Sequence, residues 1–456
     1  MHRRTPELPP LAGLCSHAAA ARVGYSVDEN VRRLLRYHWT EKRLMEILVA
    51  RIPATPEWEA KGAFSLHQWL DAEHADGLRK RIQEMRHPMP RLDVAPDARL
   101  EAFLEQVAAA TGTAELVAGA YGVARTALAQ AYRTHLAETN PLVDQPTRRV
   151  LRLALLEEEE SLEWGLRALD AFRAADPSAS ARIDAWQRHL AAYLAAAGAI
   201  AGEAADAGPL PAPRAVPAPD FRPRRDDRFR GAHNFGFPPH VVYNLPYVPA
   251  DERNLALLCK RLLEMDVPEM MASFIAEQPG QPWDFYRDYA RQLWDEARHS
   301  MLGEVALEAR GLPWKAIPLN VGFSLRLNLH ASPAERQTML FGIEQSLMPG
   351  DTGKRYEYNT AVEAGDALSA HFHDYDWADE VLHTQIGRRR IRALGLAPAQ
   401  AVEAAAQIHA RTWAALDAYR ALEPQEEWWG EFVRAALGRD SAARPEDLGD
   451  PTVIPE

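Results

Sequence analysis

Apolar residues recur along this chain at intervals of three and four. Ala, Leu, Arg and Glu are abundant and alternating β-branched runs are few, which predicts a mostly helical, all-α protein. In the first half the pattern predicts helices over about 27–50, 65–85, 100–136, 147–174 and 180–203. Ten prolines between Gly202 and Ala250 then exclude regular helix. In the second half a helix from about Asp251 is stopped by Pro279-Gly280, Pro282 opens the next, and Gly311 closes it. Ser332 before Pro333 starts a third, which carries Glu344 and ends at Pro349-Gly350. Asp366 begins a fourth that runs to about Leu394, a fifth follows over about 398–422, and a short one lies near Trp428 and Trp429. The predicted organisation is a helical bundle over 1–203, a Pro/Arg-rich linker over 204–250, a second helical domain over 251–440 and a tail over 441–456. Arg222, Arg224, Arg225, Arg228 and Arg230 are expected on a solvated tether, with a clasp on acidic surface as the alternative.

Two helices of the second domain read Asp295-Glu296-Ala-Arg-His299 and Asp379-Glu380-Val-Leu-His383, and a lone glutamate, Glu269 or Glu344, precedes each. With 64 acidic residues and 16 histidines, about two acid-x-x-His pairs are expected by chance, and four occur. Asp71 with His74 and Glu84 with His87 are therefore read as ordinary helix-surface or core histidines. A second acid directly before the Glu lowers the chance expectation to about 0.3, yet two such matches are present. Residues three apart on a helix project within about 60° of each other, so a Glu-x-x-His pair can grip one ion from one face.

Four buried carboxylates would repel one another and forfeit hydration, and two divalent ions would cancel their charge. The expected metal ligands are Glu269, Glu296, His299, Glu344, Glu380 and His383, from four successive helices. Such carboxylate-rich ligation suits iron, with manganese or a mixed pair as alternatives. Asp295 and Asp379 are expected to accept the second ring N–H of His383 and His299, crosswise, with Arg298 balancing these acids. Pro268 removes an N–H inside the first helix and should kink it, which makes Glu264 an alternative to Glu269. His373, two turns before Glu380, is a further candidate ligand.

A shift of 225 positions lays Glu296 and His299 over Asp71 and His74, but puts Glu344 on Gly119, Glu380 on Leu155 and His383 on Glu158. Gaps bring in Glu41, Glu46 or Glu160 without restoring a second Glu-x-x-His. The first half is thus expected to be a degenerate, metal-free copy, with 157–160 a solvated face at a helix end. A formal charge of −12 and pI near 5.8 make nucleic acid and anionic membranes poor partners. No signal peptide or eighteen-residue apolar run is evident, and Cys15 and Cys259 are too few for a disulfide framework, so a cytoplasmic protein is expected.

At these residues the chain resembles the ferritin-like diiron-carboxylate superfamily, and the Asp-Glu-x-x-His form is more similar to its oxygen-activating branch than to its storage branch. More narrowly, Glu269, Phe285-Tyr286, the two Asp-Glu-x-x-His runs and Gly365-Asp366 resemble a bacterial ferritin-like family of unknown function, over about a third of the chain. The resemblance implies a ferritin-like four-helix bundle with extra helices, preceded by a degenerate second helical bundle. It implies an O2-dependent dinuclear iron oxygenase acting on a small organic substrate, with an electron donor or reductase as partner, and it is compatible with a homodimer. Alternatives are a metal-binding oxidase or peroxide-detoxifying protein, a modified-tRNA hydroxylase, and a non-catalytic binding module.

Overall fold

The computed structural model describes residues 7–86, 88–203, 209–348, 350 and 352–448, and every regular element among them is helical. His87, of the Glu84–His87 pair, and Pro349 lie outside the described residues. The chain divides into two compact units, one of Met1–Ile47 with Leu70–Ala218, the other of Leu48–Trp69 with Pro219–Glu456. A short excursion, Leu48–Trp69, and most of the Pro/Arg-rich stretch therefore belong to the second unit.

The first unit draws on α1 (Val27–Arg51), α2 (Trp58–Met85), α3 (Thr126–Glu138) and α4 (Gln145–Ala175). The single helix predicted over 100–136 is instead a series of pieces, Ala98–Ala108, Thr113–Gly119 and α3, the last two joined by a π-helical turn over Ala120–Arg125. Asp97 caps the first piece by accepting the N–H groups of Arg99 and Leu100. A π turn shifts the side chains that follow it around the helix axis, and Arg125 at its end is fully buried. On α4 the buried set Leu151, Ala154, Glu158, Ser161, Leu162, Gly165 and Leu169 repeats at helical spacing. Glu158 thus sits mid-helix in an apolar stripe, and only its neighbours Glu159 and Glu160 form the expected solvated face.

The second unit contains α5 (Ala250–Leu263), α6 (Asp266–Ala276), α7 (Trp283–Glu308), α8 (Pro333–Ser346), α9 (Lys354–Glu363) and α10 (Ala367–Ala393). The helix predicted to begin near Asp251 is broken into α5 and α6, because Pro268 offers no N–H to the carbonyl of Glu264. Ser332 and Glu335 form a reciprocal capping box that opens α8. Gly365, at φ +70°, lets α9 end where Asp366 can cap α10. The helix Gly322–His330 and α9 were not anticipated. α7 packs on α5, α6 and α10, and α8 packs on α6 and α10. A Cβ at Gly303 would lie 2.5 Å from the backbone nitrogen of Leu262. Glycine there lets α7 lie directly against the end of α5, one turn beyond His299.

Of the five linker arginines, Arg225, Arg228 and Arg230 clasp the fold, while the exposed Arg222 and Arg224 pair with the nearby Asp220. Arg228 donates to Glu59 and Asp226, Arg230 donates to the Ala316 carbonyl, and Glu423 accepts the N–H groups of Gly231 and His233. Arg439 and Ser441 hold Glu252 at the start of α5, so the beginning of the predicted tail is docked; residues 449–456 lie outside the described residues. No helix among the described residues is long and apolar enough to cross a membrane.

Candidate metal centre

α7 carries Glu296 and His299, α10 carries Glu380 and His383, α8 carries Glu344, and the turn after α5 carries Glu264. Glu296, Glu344, Glu380 and His383 each place a ligand atom within 4.8 Å of the others, and Glu264, His299 and Asp376 form a second such group. Glu296 reaches both, with one oxygen 3.7 Å from Nδ1 of His299 and the other 3.2 Å from Nδ1 of His383. Nδ1 of His299 also lies 3.2 Å from Asp376 and 3.8 Å from Glu264. Nδ1 of His383 lies 3.4 Å from Glu380 and 3.7 Å from Glu344.

Each imidazole turns its other nitrogen to an aspartate of the opposite motif. Nε2 of His299 is 3.1 Å from Asp379, and Nε2 of His383 is 3.4 Å from Asp295. Arg298 donates to both aspartates, at 2.8 Å and 2.6 Å. With carboxylates accepting at Nε2, the tautomer that follows leaves the Nδ1 lone pair facing inward.

What those inward atoms meet decides whether an ion fits. Nδ1 of His299, Nδ1 of His383, one oxygen each of Glu344 and Glu380, and Oδ2 of Asp376 are buried without any hydrogen-bond partner. Buried polar atoms are ordinarily paired, so five orphans facing the same two groups of ligand atoms fit a bound cation. Six inner carboxylates, Glu264, Glu296, Glu344, Glu357, Asp376 and Glu380, face three cations, Lys260, Arg261 and Lys354. The excess of three negative charges lies between the charge of one divalent ion and that of two.

The electrostatics of the metal-free chain show the same deficit. Burial, with the neighbouring Glu380 carboxylate, holds the Glu344 carboxyl well above its usual range. Burial also opposes ionisation of Glu380, but the Lys354 ammonium and the neighbouring Glu344 carboxyl overcome it and hold Glu380 low. Burial disfavours charge on His299, yet Asp376 and the Asp379 hydrogen bond lift it to about 10. His383 is raised likewise against burial, by Asp295 and Glu296. Protons thus occupy the places where an ion would bind.

Glu269 is not part of this centre. Five residues past Glu264 and beyond the break, it turns to the buried ammonium of Lys61 and to Arg225, which contacts its two oxygens at 2.6 Å and 3.1 Å. With two cations on it, Glu269 has no charge left for an ion, and Glu264 takes the position at the cluster. His373 joins Glu357 and Asp376 in a third such group, sharing Asp376 with His299, and neither of its ring nitrogens has a hydrogen-bond partner; burial and the Arg261 charge lower it to about 4. The sequence reading missed Asp376, although it lies one turn before Glu380 on the same face, and it missed Lys354 and Arg261. An acid one turn away was a readable signal; the long-range cations were not. The expected residues Asp71 and His74 are buried in the first unit with Glu41 and Glu158.

A pocket of about 180 Å³ opens beside the cluster. Glu264, Glu296, Glu344 and Glu380 line it together with Leu263, Val267, Phe323, Leu340, Ile343 and Leu347. Its walls are therefore mainly apolar, with His240, Lys260 and Asp266 as further polar groups beside the four carboxylates.

No protein-family model, curated protein or solved structure matches this chain.

Proposed function

We propose that the second unit is a ferritin-like bundle that binds two divalent ions, iron first and manganese or a mixed pair next, and uses O2 to oxidise a small, largely apolar organic molecule. The observation that carries this reading is the convergence of orphaned buried nitrogens and oxygens beside an apolar pocket. His383, Glu344 and Glu380 would hold one ion, His299, Glu264 and Asp376 the other, with Glu296 reaching both. Bound there, the metal pair supplies electrons and Lewis acidity for the reduction of O2. The chain supplies the rest. Leu263, Val267, Phe323, Leu340, Ile343 and Leu347 exclude water from the substrate position. Asp295 and Asp379 fix the imidazole orientations. An external electron donor is the implied partner for repeated turnover.

One observation favours a second reading, a metal-stabilised module without oxidase activity. Nζ of Lys354 sits 2.9 Å from both Asp376 and Glu380, and Arg261 bonds both oxygens of Glu264, so the His299 side is partly neutralised by the chain itself.

The test is anaerobic loading of the full chain with ferrous ion, followed by admission of O2 with oxygen uptake and ferric absorbance recorded together. Two irons per chain and rapid uptake are expected of an oxidase. Tight metal without uptake establishes the second reading, and absence of any bound ion removes both.

A further inference from the structure

We infer that the first unit holds a metal site of its own, a single divalent transition ion of the manganese–iron–zinc class bound by Glu41, Asp71, His74 and Glu158, with the Arg125 guanidinium occupying the place of a second ion. The four side chains come from α1, α2 and α4, and each puts a ligand atom within 4.8 Å of the others. Glu41, Asp71 and Glu158 are fully buried and His74 is 6% exposed.

Each of them has an atom free for an ion. One oxygen of Glu41 accepts from the Tyr132 hydroxyl at 2.6 Å, and the other has no partner. Asp71 and Glu158 each give one oxygen to Arg125, at 2.7 Å and 2.6 Å, and each keeps the other unpaired. Nδ1 of His74 has no hydrogen-bond partner and lies 3.2 Å from Glu41. Nε2 of His74 is 2.7 Å from Glu157, which is the carboxylate–histidine arrangement that orients a metal-binding imidazole. These atoms ask for a cation of small radius, since three carboxylate oxygens and one ring nitrogen are the ligand set of a hard to borderline divalent ion.

The charges agree. Three buried carboxylates face one guanidinium, which leaves two negative charges, and one divalent ion with a neutral His74 brings the cluster to zero. A pair of divalent ions beside Arg125 would leave an uncompensated excess.

The chain itself shows how this site relates to the larger one. Glu41 and Glu264, Asp71 and Glu296, His74 and His299, and Glu158 and Glu380 are separated by 223, 225, 225 and 222 positions. The same relation sets Glu157 against Asp379, and each accepts from the histidine of its own cluster. What differs is the remainder. Arg125 falls near the position of Glu344, Ser161 at that of His383 and Ala154 at that of Asp376, so four of the seven ligand positions keep an acid or a histidine and three are replaced by a cation, a hydroxyl and a methyl group.

Metal-stripped full-length chain reloaded with Mn2+ under argon, then read by elemental analysis and electron paramagnetic resonance, tests this directly. A lone Mn2+ gives an uncoupled spectrum. The wild-type chain is expected to hold one ion that His74→Ala loses and His383→Ala keeps. Where His74→Ala does not fold, near-isosteric Glu158→Gln carries the same comparison. A wild-type chain with no uncoupled ion overturns the site, as does an ion content that neither substitution changes. Failure of the larger centre would show separately, as loss of the ions sensitive to His383→Ala with this one retained.

Discussion

In the second unit the third helix of the cluster delivers Glu344, and near the matching place in the first unit the chain delivers Arg125. Both clusters share a leading acid, Glu264 or Glu41, an acid-x-x-His pair from the next helix and an acid from the last, Glu380 or Glu158; Asp376 and His383 have no ligand counterpart in the first unit. In the second unit Glu344 adds a negative charge to a buried group, and the nearby cations leave three charges uncompensated. In the first, Arg125 binds two of the three carboxylates and leaves two charges uncompensated rather than three. A buried acidic cluster has to find its counter-charge somewhere, and chain cations or bound ions can supply it.

The largest effect expected from breaking this contrast is at Arg125. Arg125→Met leaves Asp71 and Glu158 without their buried partner, and about 3–5 kcal/mol of stability should be lost in chemical denaturation of the metal-stripped chain. A loss under about 1 kcal/mol would mean that the first cluster does not depend on its guanidinium.

Glu269→Gln separates packing from metal binding. It removes the counter-charge of Lys61 and Arg225 and should cost about 3 kcal/mol while leaving the metal content of the chain unchanged. Glu264→Gln should do the reverse and weaken metal loading, because Glu264 faces Nδ1 of His299. Metal content that fell with Glu269→Gln and not with Glu264→Gln would reverse the assignment.

Asp379→Asn keeps every proposed ligand and removes the carboxylate behind His299, so metal affinity should fall about 10–100-fold. The counterpart Glu157→Gln should act more weakly, because its carboxylate is 41% exposed and water can replace it. Equal effects would mean that solvent access does not distinguish the two histidines.

The smallest effect per step is in pH. In the metal-free chain His299 is raised from 6.5 to about 10, so its ion pairs stabilise the fold fully below about pH 6.5 and fade as the pH rises through about 10. Each proton carried in that window changes stability by about 1.4 kcal/mol per pH unit. Metal binding runs the other way, because ions displace those protons and bind more tightly as pH rises. Thermal unfolding between pH 7 and 9 should therefore show the stripped chain weakening and the loaded chain gaining. Parallel slopes would show that metal and proton do not compete.

The helical class and the paired motifs were legible because helix period and Glu-x-x-His spacing are local properties. The ligand on the first helix was legible only as a choice between Glu264 and Glu269. Pro268 announced the break, but the choice was made by Lys61 and Arg225, which lie far away in sequence. Asp376 lies four residues before Glu380, outside the i, i+3 spacing that marks a Glu-x-x-His pair. The first-unit cluster stayed hidden because a fixed shift of 225 set Glu158 against His383, whereas the π turn and a few residues of length difference set it against Glu380. Nothing local to Arg125 in the sequence marks it as buried; the fold does that.

Crystals of the full chain grown with Mn2+, with anomalous scattering collected at the manganese edge, would test most directly whether the orphaned atoms are ligands. Two peaks are expected among Glu264, Glu296, His299, Glu344, Asp376, Glu380 and His383, and one among Glu41, Asp71, His74 and Glu158. Clusters that remain free of anomalous density at millimolar Mn2+, with water or protons satisfying both Nδ1 atoms, would contradict the account.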